Sequence, residues 1–133
     1  MSPATAINPA PLPRPSGFSY AISASGARTV HFAGHTAADA QGRIVGPGSL
    51  TAQFEQVLLN LQATAQAAEL GLSQVVKLTL YVTDIQAYRA EVEQIGAIYR
   101  RFFGSHYPAM TLVQVQRLWD EEAMIEIDAV AVE

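Results

Sequence analysis

Glu126 and Asp128 stand two residues apart in the C-terminal stretch MIEIDAVAV, among residues that are otherwise apolar. Alternation along a strand sends both carboxylates to the face opposite Ile125 and Ile127. If water covers that face, they are solvated surface groups. If other subunits cover it, Glu126 becomes a half-buried carboxylate, the setting in which acid/base groups occur. The other polar groups near strand ends are Tyr20, His35, Thr111 and Arg117. A histidine beside Gly34 is suited to shuttling protons near neutral pH. Tyr20 offers a hydroxyl and a ring face. Met110 stands at the mouth of the strand Thr111–Val115, directly after the corner His106-Tyr107-Pro108-Ala109.

Other chemistries find no support. Gly42, Gly46 and Gly48 do not link a strand to a helix at the spacing of a nucleotide-binding loop. His31, His35 and His106 form no HxH or HxxxH pair, so no metal is expected. The absence of cysteine excludes disulfides, thiolate metal sites and a cysteine nucleophile. No nucleophile-elbow sequence accompanies the serines.

The elements that must position these groups are short. FSYAIS (18–23) and TVHFA (29–33) read as strands joined by the turn Ala24-Ser25-Gly26-Ala27, a hairpin pattern. Residues 50–70 read as a helix whose stripe is Phe54, Val57, Leu58, Leu61, Ala65 and Ala68. Ser49 is placed to cap its start and Gly71 to end it at C′. VVKLTLYV (75–82) reads as a central strand. Asp84 caps a second helix with the stripe Ile85, Tyr88, Val92, Ile95, Tyr99 and Phe102, closed by Gly104. Residues 111–115 and 124–132 complete the set as strands. The order β-β-α-β-α-β-β predicts an α+β fold: two layers, a mixed sheet with two helices on one face.

Of the 133 residues, half are hydrophobic and 15% charged, enough for one domain with a core. The net charge of −4, without any Lys or Arg run, argues against a nucleic-acid partner. The lack of cysteine fits a reducing compartment, and a cytoplasmic location is expected. Residues 1–16 hold most of the seven prolines and read as an extended arm, without the charged and apolar regions of a secretory signal. Residues 17–133 form the single domain. No stretch approaches the length of a membrane span.

Four stretches together resemble one family. They are HFAGHTAADAQGRIVG, QFEQVLLNLQATAQAAELGLSQVVKLTLYVTD, YRRFFGSHYPAMTLVQV and RLWDEEAMIEIDAVAV. Their order and spacing, from about Gly17 to the C-terminus, resemble the Rid (reactive intermediate deaminase) or YjgF-like proteins, once labelled L-PSP endoribonucleases. The resemblance implies a chorismate-mutase-like fold and a homotrimer whose sheets line a central barrel, with three sites at the subunit clefts. It implies cofactor-independent hydrolysis of enamines and imines to a carbonyl compound and ammonia.

The family's site transfers in part. Its tyrosine resembles Tyr20, and the glutamate of its last strand matches Glu126. Its Ser-Gly pair falls on Ala33-Gly34, which keeps the glycine and loses the hydroxyl; the next position is His35. Its helix asparagine aligns with Gly96. The arginine that clamps a substrate carboxylate falls on Met110, followed by Thr111 and by Leu112 where cysteine is common. Methionine makes no bidentate pair with a carboxylate. The resemblance therefore implies a deaminase turned away from small 2-imino acids, with Arg117 as a candidate replacement cation. The alternative is a non-catalytic trimer that binds a small metabolite or a partner protein at the same clefts. A ribonuclease reading meets the acidic charge and the lack of a basic patch.

Overall fold

In the computed structural model, which describes residues 4–133, the stripe that begins at Leu50 builds helix α1, Leu50–Ala67. Ser49 Oγ accepts from the Ala52 N–H at 3.2 Å and satisfies one of the donors that a helix start leaves free. Leu50, Phe54, Val57, Leu58, Leu61 and Ala65 are buried, the face that the spacing predicts. The C-terminus of α1 differs from expectation. Glu69, not Gly71, takes the left-handed backbone at φ +61°. The Leu70 N–H then donates back to the Ala65 carbonyl at 2.8 Å, a Schellman closure sealed by the buried Leu70 side chain. Gly71 instead opens the 3₁₀ turn Leu72–Gln74, donating its N–H to Gln74 Oε1 at 3.0 Å.

The strands are β1 Ala4–Ile7, β2 Ala21–Ala24, β3 Thr29–His35, β4 Val75–Val82, β5 Ala109–Gln114 and β6 Ile125–Val132. The last four form one mixed sheet in the order β3-β6-β4-β5, with β4 and β5 parallel and the other pairs antiparallel. In place of the hairpin expected between β2 and β3, β2 pairs antiparallel with β1, which lies inside the proline-rich arm. The reason is an anchor just before β2. The Ser19 N–H donates to the Pro108 carbonyl at 3.0 Å and Ser19 Oγ to the Tyr107 carbonyl at 2.6 Å, beside β5. β3 occupies the opposite edge of the sheet, so the chain crosses between edges instead of folding back on itself.

Asp84 Oδ1 caps the second helical region, accepting from the Gln86 and Ala87 N–H groups at 3.0 and 3.1 Å. That region is two helices, α2 Ile85–Ala90 and α3 Val92–Phe103, divided at Glu91. Gly104, at φ +61°, ends α3 as expected. Of the expected stripe, Ile95 and Tyr99 are buried, Phe102 packs half-buried against the core and Val92 is exposed; Phe103 adds a buried ring that stacks on Tyr99 at 4.5 Å.

Helices and sheet make the two layers of an α+β fold. Leu78, Leu80 and Val82 of β4, and Ile125, Ile127, Ala129 and Ala131 of β6, are buried in the core cluster with α1 and α3. The alternate residues, among them Tyr81, Glu126 and Asp128, are half-buried on the face that no helix covers. Among the described residues no helix is long and apolar enough to cross a membrane.

Candidate functional site

Directly paired residues share a sheet face, so the register divides the expected site residues into two groups. Met110 lies opposite Leu78 and Leu112 opposite Leu80, so both face the helices. Glu126 lies opposite Tyr81 and Asp128 opposite Thr79, on the open face. Within one chain Met110 and Glu126 are therefore on opposite sides of the sheet, two strands apart.

On the helix side, a cavity of about 330 Å³ opens between α3 and β5. Met110 and Leu112 supply one wall, Gly96, Tyr99 and Arg100 another, and Gly17 and Phe18 close it from the segment that Ser19 anchors. The lining is mainly aliphatic and aromatic, and burial pushes the Tyr88 phenol at its edge up to about 12. Among the described residues Arg100 is the one charged member of the lining. It follows Gly96 by four residues and so shares a helix face with it, and a Cβ built on Gly96 would stand 3.2 Å from Arg100 Nη1.

On the open face the Glu126 carboxylate lies against Gly34. A Cβ at Gly34 would collide with it, the carboxyl carbon being only 2.8 Å from that position. What a side chain at this position would displace is the Glu126 carboxylate; no left-handed backbone calls for the glycine. The neighbouring group is Tyr81, whose hydroxyl donates to Asp128 Oδ2 at 3.4 Å. The charge of Asp128, then desolvation, the Asp128 hydrogen bond and Glu126 hold that phenol above its ordinary range. Thr111 lies on the same face and accepts from Lys77 Nζ at 2.9 Å.

A bulge sets the Gly34 contact. Phe32 pairs with Ala129 and His35 with Ile127, so β3 carries one residue more than β6 over this span. Ala33, exposed, and Gly34 form the bulge. His35 thereby turns to the helix side. Its Nδ1–H donates to the Ala33 carbonyl at 2.7 Å, and Nε2 lies 2.7 Å from Thr64 Oγ1 of α1. Both ring nitrogens are engaged in holding the bulge against α1. Asn60 Nδ2 adds bonds to the Thr36 and Ala38 carbonyls at 2.8 and 2.9 Å.

Tyr20 is half-buried beside the cavity without lining it. Its hydroxyl donates to the Pro13 carbonyl at 2.7 Å, and its ring meets Phe18 edge-on at 5.0 Å. Arg117 lies in the loop between β5 and β6. It donates to the Leu118 and Trp119 carbonyls and pairs with Glu121 at 3.8 Å, apart from the cavity. The cation at the cavity is Arg100, for which the sequence carried one signal: its four-residue spacing from Gly96.

A model of the family described as endoribonuclease L-PSP matches residues 11–133. A RutC family protein from Synechocystis is 38% identical over 129 residues, 95% of this chain and 94% of its own length. A 2-iminobutanoate/2-iminopropanoate deaminase from Capra hircus is 32% identical over 107 residues, 80% of this chain and 74% of its own. The crystal structure of the Rid-family protein YyfB from Yersinia pestis superposes with a TM-score of 0.85 at 37% identity, covering 98% of this chain and 99% of that one.

Proposed function

The chain belongs to the Rid, or YjgF-like, family described as endoribonuclease L-PSP, and from that premise we propose that it hydrolyses reactive enamines and imines to a carbonyl compound and ammonia without a cofactor. The observation that carries this reading is the Glu126 carboxylate seated on Gly34, on the face the helices leave open. Addition of water to a C=N carbon gives a carbinolamine, which then expels ammonia. A carboxylate aids three points: it stabilises the protonated iminium, takes a proton from water, and returns a proton to the leaving nitrogen. Glu126 has the chemistry for all three.

One chain cannot join Glu126 to the Met110 cavity, because the sheet lies between them. A closed homotrimer resolves this by placing the open face of one subunit against the α3–β5 edge of the next, so that each cleft takes its carboxylate from one chain and its cavity from another. The half-buried Glu126, Asp128 and Tyr81 of the open face support such an assembly. Met110 and Leu112 make the cavity apolar where a carboxylate clamp would stand. Small 2-imino acids, whose carboxylate adjoins the reacting carbon, are therefore poor substrates, and bulkier ones are preferred. The replacements at Ala33, Gly96 and Met110 favour a second reading, a trimer that binds a metabolite at these clefts without turning it over.

The test is ammonia release from freshly generated imines and enamines, small and bulky, by the wild type, Glu126→Ala and Met110→Arg. Turnover of bulky substrates that Glu126→Ala abolishes, with 2-iminopropanoate hydrolysis gained by Met110→Arg, supports the deaminase. Absence of turnover across the panel in all three proteins selects the binding trimer.

A further inference from the structure

The cavity that lost its strand cation has a helix cation in its wall. We propose that Arg100 is the specificity-determining residue of this cleft, and that it anchors the anionic group of an apolar monocarboxylate lying in the α3–β5 cavity. This deepens the deaminase reading by naming its substrate class, and it rests on that reading only for the chemistry that follows binding.

Three observations carry it. Arg100 is the single charged residue of a lining otherwise built from Phe18, Tyr88, Tyr99, Met110 and Leu112. Among the described residues the Arg100 side chain joins no hydrogen bond or ion pair, so its guanidinium has its full set of donors to offer. Finally, Gly96 lets the guanidinium lie along α3, since a Cβ there would meet Nη1 at 3.2 Å.

Gly96 and Met110 thus act together. The glycine clears the path for Arg100, and the thioether at 110 leaves apolar volume where a second cation would repel the first. A ligand that suits this wall carries one carboxylate on an aliphatic or aryl body. The planar fork of the guanidinium matches a carboxylate in two hydrogen bonds, which an amide does not reproduce. At about 330 Å³ the cavity is at the small end of ligand pockets.

The probes are hexanoate and phenylacetate, each against its primary amide, titrated calorimetrically into the intact protein. The wild type is expected to bind each acid at least about tenfold more tightly than its amide, as a charge-assisted hydrogen bond implies. Arg100→Gln is expected to remove that preference and leave the amide affinity unchanged; Arg100→Lys keeps part of it. Gly96→Ala, which leaves Arg100 in the chain and crowds its path, is expected to lower the ratio. Equal binding of acid and amide by the wild type overturns the proposal, as does failure of any probe to bind, or an acid preference that survives Arg100→Gln. The acid-to-amide ratio is independent of turnover. A ratio that depends on Arg100 without any ammonia release keeps the anchor and removes the deaminase; turnover with an unchanged ratio does the reverse.

Discussion

The Glu126 carboxylate fills the space that a Gly34 side chain would take, at the bulge that β3 makes against β6. The colliding atoms are the far end of a flexible side chain, and the glycine backbone is one that other residues adopt. Gly34→Ala should therefore fold with a loss of stability within about 1 kcal/mol, because the carboxylate swings aside. Its kcat should fall toward that of Glu126→Ala, since misplacing a proton-transfer group forfeits about 100-fold or more. Urea unfolding together with ammonia release checks both halves.

Gln53 holds two loops to α1. Its amide is fully buried, donating to the Gly46 and Glu122 carbonyls at 3.2 and 2.9 Å and accepting from the Met124 N–H at 2.8 Å. Gln53→Met keeps the volume and leaves three buried backbone groups without this partner. A loss of about 2–4 kcal/mol is expected, read as a lower urea midpoint at unchanged slope.

Glu69 occupies the left-handed position at the end of α1. A β-carbon is strained there and glycine is not. Glu69→Gly should stabilise the protein by about 0.5–1 kcal/mol, a rise in Tm of about 2–4 °C.

Two phenols, Tyr99 buried and Tyr88 half-buried, set an alkaline limit. Burial pushes Tyr88 up to about 12; burial, with Tyr107 and Tyr88 adding to it, also raises Tyr99. A raised folded value means that the neutral form is favoured in the native state, so this stabilisation is complete below the unfolded value of about 10. It is lost as pH climbs through the folded value. For Tyr88 the window is about pH 10–12 and the loss about 2–3 kcal/mol. Tyr88→Phe should flatten that part of the stability curve and leave neutral pH unaffected. Tyr99→Phe should also cost about 1 kcal/mol at neutral pH, because the Tyr99 hydroxyl donates to the His106 carbonyl at 2.7 Å.

The parts of the fold that local pattern dictates were legible in the chain. The stripe from Leu50, the caps at Ser49 and Asp84, and the alternation of Ile125, Glu126, Ile127 and Asp128 stand as the spacing predicts. Local pattern leaves the rest open. The partner of β2 is β1, a choice made by the distant anchor of Ser19 on Tyr107 and Pro108. The bulge at Ala33-Gly34 reverses the parity of His35, and no residue type announces a one-residue slip. Gln53 falls on the apolar stripe between Leu50 and Val57, a polar intrusion that marks it in retrospect. Arg100 was hidden because Arg117 is nearer in sequence to the altered strand, whereas the cavity is walled by a helix.

The sheet that separates Met110 from Glu126 makes each chain, in the assembly proposed above, donor of a carboxylate to one neighbour and of a cavity to the other. Two inactive variants, one damaged at Glu126 and one whose cavity is blocked, should then rescue each other when unfolded and refolded together. With random assortment of equal amounts about a quarter of all clefts combine two intact halves. Activity would be inherited by the pairing of subunits, and no chain would carry it alone.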